Sequence, residues 1–332
     1  MLEAAVREQA DAPQQRTLRP AAIAGVAMSV PARVVDNEPI AARLGIDPGW
    51  IVARTGVHER RVLSEGEDLL SLASDAAEGA LADAGMEPSE IDQVLVATMS
   101  HDRLTPALAP LVADRIGALE AGALDVNAAC TGFVKALAMA AAQIEAGRAE
   151  AVLVIGAEWL TTLTDHDDRS TAALFGDGAG AVVVRPGSGS GFGPFVLGSD
   201  GAQAEMVRVE RDEALIHMQG HDTFREAVSR MAQASLEAAG ALGLTLGQID
   251  LFIYHQANAR ILRALAQRLV LDSDRVVECI SRYGNTSAAS VPIALATAIE
   301  DGRVKPGDRI LLAAFGGGLT WGATVLEWEG SA

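Results

Sequence analysis

Three residues of this chain carry side chains suited to nucleophilic catalysis, a thiol and two hydrogen-bonding partners: Cys130, His255 and Asn285. Cys130 lies in Ala-Leu-Asp-Val-Asn-Ala-Ala-Cys-Thr-Gly-Phe, where a short apolar strand gives way to a helix-forming run over 134–146. A thiol at a helix start meets unpaired backbone N–H groups and the positive end of the dipole, which favours the thiolate. Cysteine is also an ordinary core residue. Here the neighbours Ala128, Ala129, Thr131 and Gly132 are small and leave room at sulfur for a substrate. His255 closes the apolar strand Leu251–Tyr254, and strand ends are where α/β proteins place catalytic groups. Taken alone, His255 reads as a satisfied structural histidine and Asn285 as a helix N-cap. Cys279 has no such setting and reads as structural.

The elements that must position these residues follow from hydrophobic periodicity. Residues 68–84 read as an amphipathic helix stopped by Gly85, 93–99 as a buried strand, and 108–116 as a second helix. After the Cys130 helix come a strand at 152–156, a polar loop at 161–170, and a glycine run at 176–180 leading into a strand at 181–184. The second half reads as a strand at 214–218, a long helix at 221–240, the strand ending in His255, a helix to 269, and strands at 310–314 and 323–328. Strands alternating with helices indicate an α/β fold. With an offset of 155, Cys130 aligns with Asn285, Thr131 with Thr286, and Ile144-Glu145 with Ile299-Glu300, and both segments end in Gly-Arg. This reads as an internal duplication, with Cys130 and Asn285 at equivalent helix starts. The Gly-, Ser- and Pro-rich stretch 186–193 is the natural boundary. It gives an arm at 1–19, a half at 20–187 holding the cysteine, and a half at 188–332 holding His255 and Asn285.

Five motifs occur together: Ala-Ala-Cys-Thr-Gly-Phe at Cys130, Phe175-Gly176-Asp177-Gly178-Ala179-Gly180-Ala181, His255-Gln-Ala-Asn, Gly-Asn285-Thr-Ser-Ala-Ala-Ser, and Phe315-Gly316-Gly317-Gly318. In this order, over residues 20–328, the chain resembles β-ketoacyl-acyl-carrier-protein synthase III, the initiating ketosynthase branch of the thiolase superfamily. The resemblance implies a five-layered αβαβα thiolase-like fold, two duplicated halves in one body and a homodimer. It implies that Cys130 takes the acyl group of an acyl-CoA, with the N–H groups of Cys130 and Gly317 as oxyanion hole. A malonyl thioester on acyl carrier protein then loses CO2, and His255 and Asn285 stabilise the enolate. Trp50, Arg54, Arg169 and Asn258 match coenzyme A-binding positions, and Arg225 and Arg260 match positions that meet the carrier protein. No cofactor beyond the coenzyme A thioester substrate is implied, and no metal.

Three positions depart from the family pattern: His221 stands where asparagine is frequent, the segment 201–218 is short, and Thr105 replaces a bulky aromatic that closes the acyl pocket. All three bear on the substrate. Cys, His and Asn in this order also describe a papain-like hydrolase, but its cysteine motif is missing. A thiolase would carry a second cysteine beside Gly316–Gly318, and a non-enzymatic partner subunit would lack Cys130. An acyltransferase on the same scaffold, passing the Cys130-bound acyl group to an alcohol, amine or carrier, is the closest rival.

The bulk properties agree. The chain has 332 residues, 49% of them hydrophobic, enough for a large core. Two cysteines imply no disulfide framework and suit a reducing cytoplasm. No apolar run spans a bilayer, and no signal-peptide core is expected. A net charge of −18 argues against nucleic-acid binding, and it requires a local basic patch for an acidic carrier protein.

Overall fold

The computed structural model of the chain describes residues 19–330. The arm expected at 1–19 lies outside the described residues except for Arg19. That side chain is anchored: its guanidinium pairs with Glu150 at 2.8 Å and donates to the Ile144 and Ala149 carbonyls.

Two sheets form the frame. The first runs Ala21–Ser29, Gly178–Pro186, Val152–Glu158, Gln93–Ala97, Gly122–Val126. The last three strands are mutually parallel; Gly178–Pro186 is antiparallel to both of its neighbours. The second runs Leu251–Tyr254, Arg309–Gly316, Thr320–Glu327, Val196–Ser199, with one parallel and two antiparallel pairings. From Gln93–Ala97 to Ala21–Ser29 the first sheet has that same parallel, antiparallel, antiparallel series. The linking stretch 187–195 lies between the two sheets in sequence.

Alternation along the strands shows how the layers stack. Leu95, Val152 and Val154 face the helices Gly132–Glu145 and Ser290–Glu300, as do Ile253, Ile310 and Leu312 from the second sheet. Val94, Leu153 and Ile155 face the opposite way, onto the helices Leu69–Ala84 and Leu108–Ile116. Phe252, Leu311 and Ala313 face Gly220–Ala241 and Ala259–Leu269. The result is helix, sheet, helix, sheet, helix, the expected five layers. Strands covered on both faces read as near-continuous apolar runs, and all seven residues of Val152–Glu158 are buried, six of them uncharged and the last a glutamate.

The duplication is present in this topology, but the equivalence of Cys130 with Asn285 is not. Each central-layer helix is preceded by a tight turn, Ala129–Thr131 in one half and Ser287–Ala289 in the other. Each turn opens on a non-glycine residue with left-handed φ, 47° at Ala129 and 46° at Ser287. Each helix is followed by a left-handed glycine, Gly147 or Gly302. The glycines differ by 155 residues and the turns by 158, because the second helix has 11 residues against 14. Cys130 therefore corresponds to Ala288, and Asn285 lies three residues upstream. Each turn rests on a strand of the other half. A Cβ at Gly316 would come within 2.8 Å of the Cys130 nitrogen, and one at Gly156 within 2.4 Å of the Ala288 carbonyl oxygen. Glycine is required at both contacts.

Candidate active site

Cys130, His255, Asn285 and Gly317 line one cavity of about 1350 Å³ at the junction of the two halves. Its outer wall is the antiparallel hairpin of Val207–Val209 and Ile216–Met218, which falls within the short segment 201–218. The stretch 98–104 forms another side.

Cys130 sits in the turn ahead of Gly132–Glu145, partly exposed to the cavity. The expected resting thiolate is not what this setting favours. Burial pushes the thiol up to about 11; the Ser287 hydroxyl and the residue's own N–H pull it down, and the Glu158 carboxylate pushes it further up. The helix dipole acts against a desolvation cost that sequence position does not reveal, so the resting thiol is neutral. Glu158 ends a fully buried strand and is itself pushed up to about 7 by burial, despite bonds from Ser100 Oγ and Met99 N–H. Ser287 Oγ faces both thiol and carboxyl and is buried without a close hydrogen-bond partner.

His255 follows its strand as expected, and its N–H donates to the Ala313 carbonyl at 2.8 Å. Gln256 locks this strand end, donating to Tyr254 and Val277 carbonyls and accepting from the Cys279 N–H. The imidazole is 1% exposed, and burial brings its pKa down to about 3, so the ring is neutral. Nδ1 lies 2.6 Å from Ser290 Oγ, which also accepts the Gln256 N–H. We assign the Ser290 proton to Nδ1, since that hydroxyl has no other acceptor among the described residues. Nε2 then carries the ring proton, and it is buried with no partner. A neutral donor aimed at the cavity is the species that stabilises an oxyanion. Ser290→Ala is expected to free the tautomer and slow an oxyanion-forming step by roughly tenfold, less than loss of a direct donor. Intact acylation of Cys130 in the same variant, measured by mass spectrometry, would separate this from misfolding.

Asn285 is not the cap of the helix Ser290–Glu300, whose N-cap is Ala289. Its Oδ1 accepts the Ser287 N–H at 2.9 Å, leaving Nδ2 to donate into the cavity. The Phe-Gly-Asp-Gly motif fixes its backbone: Asn285 N–H donates to Leu174, and Gly176 N–H donates back to Asn285. A Cβ at Gly176 would meet the Tyr283 carbonyl at 2.2 Å. Asp177, buried, holds the Leu63 and Thr161 N–H groups.

The remaining expected residues lie outside this cavity. Trp50, Arg54 and Asn258 form one group: the Arg54 guanidinium lies 5.4 Å from the Trp50 ring, and Asn258 Nδ2 donates to the Arg54 carbonyl. Asn258 also caps Ala259–Leu269. Arg169 is exposed and donates to the Leu44 carbonyl. Arg225 and Arg260 are exposed on adjacent helices, Arg260 lying 5.6 Å from the ring of Phe224. His221 is exposed beside Asp222. Thr105 is exposed and does not line its own chain's cavity, whereas Leu104 does. Sequence reading gave no role to Ser287 and Ser290, which lie inside the quoted Asn285 motif, and passed over Glu158 and the cavity-lining Lys135. The signals were a charge ending the apolar run Val-Leu-Val-Ile-Gly-Ala-Glu and one lysine in an otherwise apolar helix start.

The 3-oxoacyl-[acyl-carrier-protein] synthase III family model matches residues 124–201, and the model of its C-terminal part matches 239–328. Among relatives, β-ketoacyl-[acyl-carrier-protein] synthase III 2 of Streptomyces coelicolor is 44% identical over 314 residues, 94% of each chain. The solved synthase III of Thermus thermophilus superposes with a TM-score of 0.90 at 44% identity, covering 93% of this chain and all of that one. The priming β-ketosynthase of the R1128 polyketide pathway superposes with a TM-score of 0.92 at 35% identity, covering 97% of this chain and all of that one. With these likenesses spanning both halves and the Cys130 cavity, the chain belongs to the 3-oxoacyl-[acyl-carrier-protein] synthase III family.

Proposed function

We propose that this transferase-class enzyme joins an acyl primer to a malonyl thioester by decarboxylative Claisen condensation, in fatty-acid or polyketide-type biosynthesis. The observation that carries this is the pair of neutral donors, His255 Nε2 and Asn285 Nδ2, in the cavity that the Cys130 thiol also lines. Cys130 sulfur attacks the thioester carbonyl of an acyl-CoA, its proton leaves with coenzyme A as the free thiol, and an acyl-enzyme remains. The N–H groups of Cys130 and Gly317 serve as its oxyanion hole. The malonyl C–C bond then breaks, CO2 departs, and the electron pair becomes an enolate whose oxygen accepts from His255 and Asn285. The enolate carbon attacks the acyl carbonyl, and collapse expels Cys130 as thiolate with a β-ketoacyl thioester as product. Simple acyl transfer would need neither donor. The test is CO2 release from malonyl carrier protein in the presence of acyl-CoA; release in step with β-ketoacyl product supports condensation, and none from any malonyl thioester leaves acyl transfer.

The substrates bind from outside the cavity in this reading. Trp50 and Arg54, with Arg169 and Asn258, take the nucleotide end of coenzyme A. Arg225 and Arg260 supply the basic patch that an acidic carrier protein requires on a chain of net charge −18. The edge strand Gly122–Val126 leaves Leu124 36% exposed and Met139 on the neighbouring helix 39% exposed, an unpaired apolar margin suited to a second copy in a homodimer. No helix among the described residues is long and apolar enough to cross a membrane.

Thr105 enters as a pocket residue through that dimer. In this reading Thr105, which does not line its own chain's cavity, meets the acyl site of the neighbouring copy in the homodimer. Threonine in place of an aromatic deepens the pocket, and each buried methylene adds about 0.8 kcal/mol. Medium-length or branched primers are expected to outcompete acetyl, and Thr105→Phe to restore short-chain preference. Acylation rates across an acyl-CoA series check this; a wild type preferring acetyl, with Thr105→Phe unchanged, would refute it.

A further inference from the structure

The helix Gly132–Glu145 is apolar over residues 132–142 except at Lys135. Val134, Ala136 and Leu137 around it are fully buried. Lys135 is half-buried, lines the Cys130 cavity, and has its pKa lowered by desolvation, with no nearby charge acting on it. No carboxylate among the described residues pairs with it. The four acids that line this cavity are engaged elsewhere. Asp125 accepts the Leu108 and Ala109 N–H groups, Asp102 lies beside His101, Glu210 pairs with Arg208, and Asp212 accepts the Glu213 N–H.

Helical side chains lean toward the N-terminus, so the lysine stem runs back toward the Ala129–Thr131 turn. Lys135 stands three residues into that helix, about 4.5 Å along its axis from Gly132, and lines the same cavity as the nucleophile. An ammonium held there without a partner has lost part of its hydration and gained nothing in return. A neutral primer packs its terminal methyl against that charge; a primer ending in carboxylate satisfies it with a charge-assisted hydrogen bond.

We infer that Lys135 receives a carboxylate at the far end of the acyl group, which makes dicarboxylic mono-thioesters favoured primers of this enzyme. The inference rests on the acyl-Cys130 reading and narrows it to a substrate class. It also fits the roomy cavity, since a carboxylate brings hydration that a tightly closed acyl pocket excludes.

The test compares succinyl-CoA with butyryl-CoA, which differ only in carrying a carboxylate or a methyl at the chain end. The rate of mass gain on Cys130 is followed for wild type, Lys135→Met and Lys135→Arg. The expected result is a tenfold or greater kcat/KM preference of wild type for the succinyl group, retained in Lys135→Arg and reversed in Lys135→Met. Equal rates or a butyryl preference in wild type, with Lys135→Met unchanged, would overturn the inference. So would a self-association weakened by Lys135→Met with no change in primer choice, which would make Lys135 a dimer contact. Absence of any adduct from either thioester fails the acyl-enzyme reading itself, whereas a butyryl adduct with no succinyl adduct fails only the inference. Should Lys135→Met not fold, the Lys135→Arg and wild-type ratios still decide.

Discussion

His255→Ala and Asn285→Ala are each expected to leave acylation of Cys130 intact while lowering CO2 release from a malonyl thioester by about a hundred- to a thousandfold. Both donors are held by bonds that leave N–H free for the cavity: Ser290 fixes the imidazole, and the Ser287 N–H fixes the amide through its oxygen. Neither can be replaced by water without reorganisation, since His255 is 1% and Asn285 5% exposed. A pH signature accompanies the rate. Because burial lowers His255 to about 3, the ring stays neutral above that value and becomes a cation only below it. Decarboxylation should therefore show no inflection from an ordinary imidazole near 6.5. Loss of acylation as well as decarboxylation in both variants would mean that the residues hold up the fold instead.

The second large effect is expected at Cys130. Cys130→Ala should abolish the acyl-enzyme with little change in stability, since a partly exposed side chain in a turn contributes little to packing. Intermediate thiol chemistry follows from the raised pKa. With the resting thiol near 11, alkylation by iodoacetamide should be slow at neutral pH and rise steeply in the alkaline range. Protection by acyl-CoA would place the substrate at the same sulfur.

Much of this was legible in the chain because it depends on local pattern. Cys130 after a short strand, His255 after Leu-Phe-Ile-Tyr and a helix after Asn285 are read from periodicity, and folding brings all three to one cavity. The layer order follows from strands apolar on both faces. What failed depends on distance in sequence. The thiol's ionisation is set by burial and by Glu158 and Ser287, which lie 28 and 157 residues away. Ser290 looks like one more small residue in a helix start until it is seen against His255. The duplication offset drifted because a three-residue difference in helix length is invisible in a match anchored at the helix ends. Thr105 was expected at the acyl pocket, and its own chain's cavity does not contain it.

The most direct measurement is a single-turnover experiment on the intact protein. Enzyme is loaded with one equivalent of acyl-CoA, the adduct is located by peptide mass spectrometry, and malonyl carrier protein is then added while CO2 and adduct are followed together. The expected result is one acyl group on Cys130 that disappears with stoichiometric CO2 and appears as the β-ketoacyl carrier protein. An adduct on another residue, or a Cys130 adduct that transfers to the carrier unchanged with no CO2, would contradict the account.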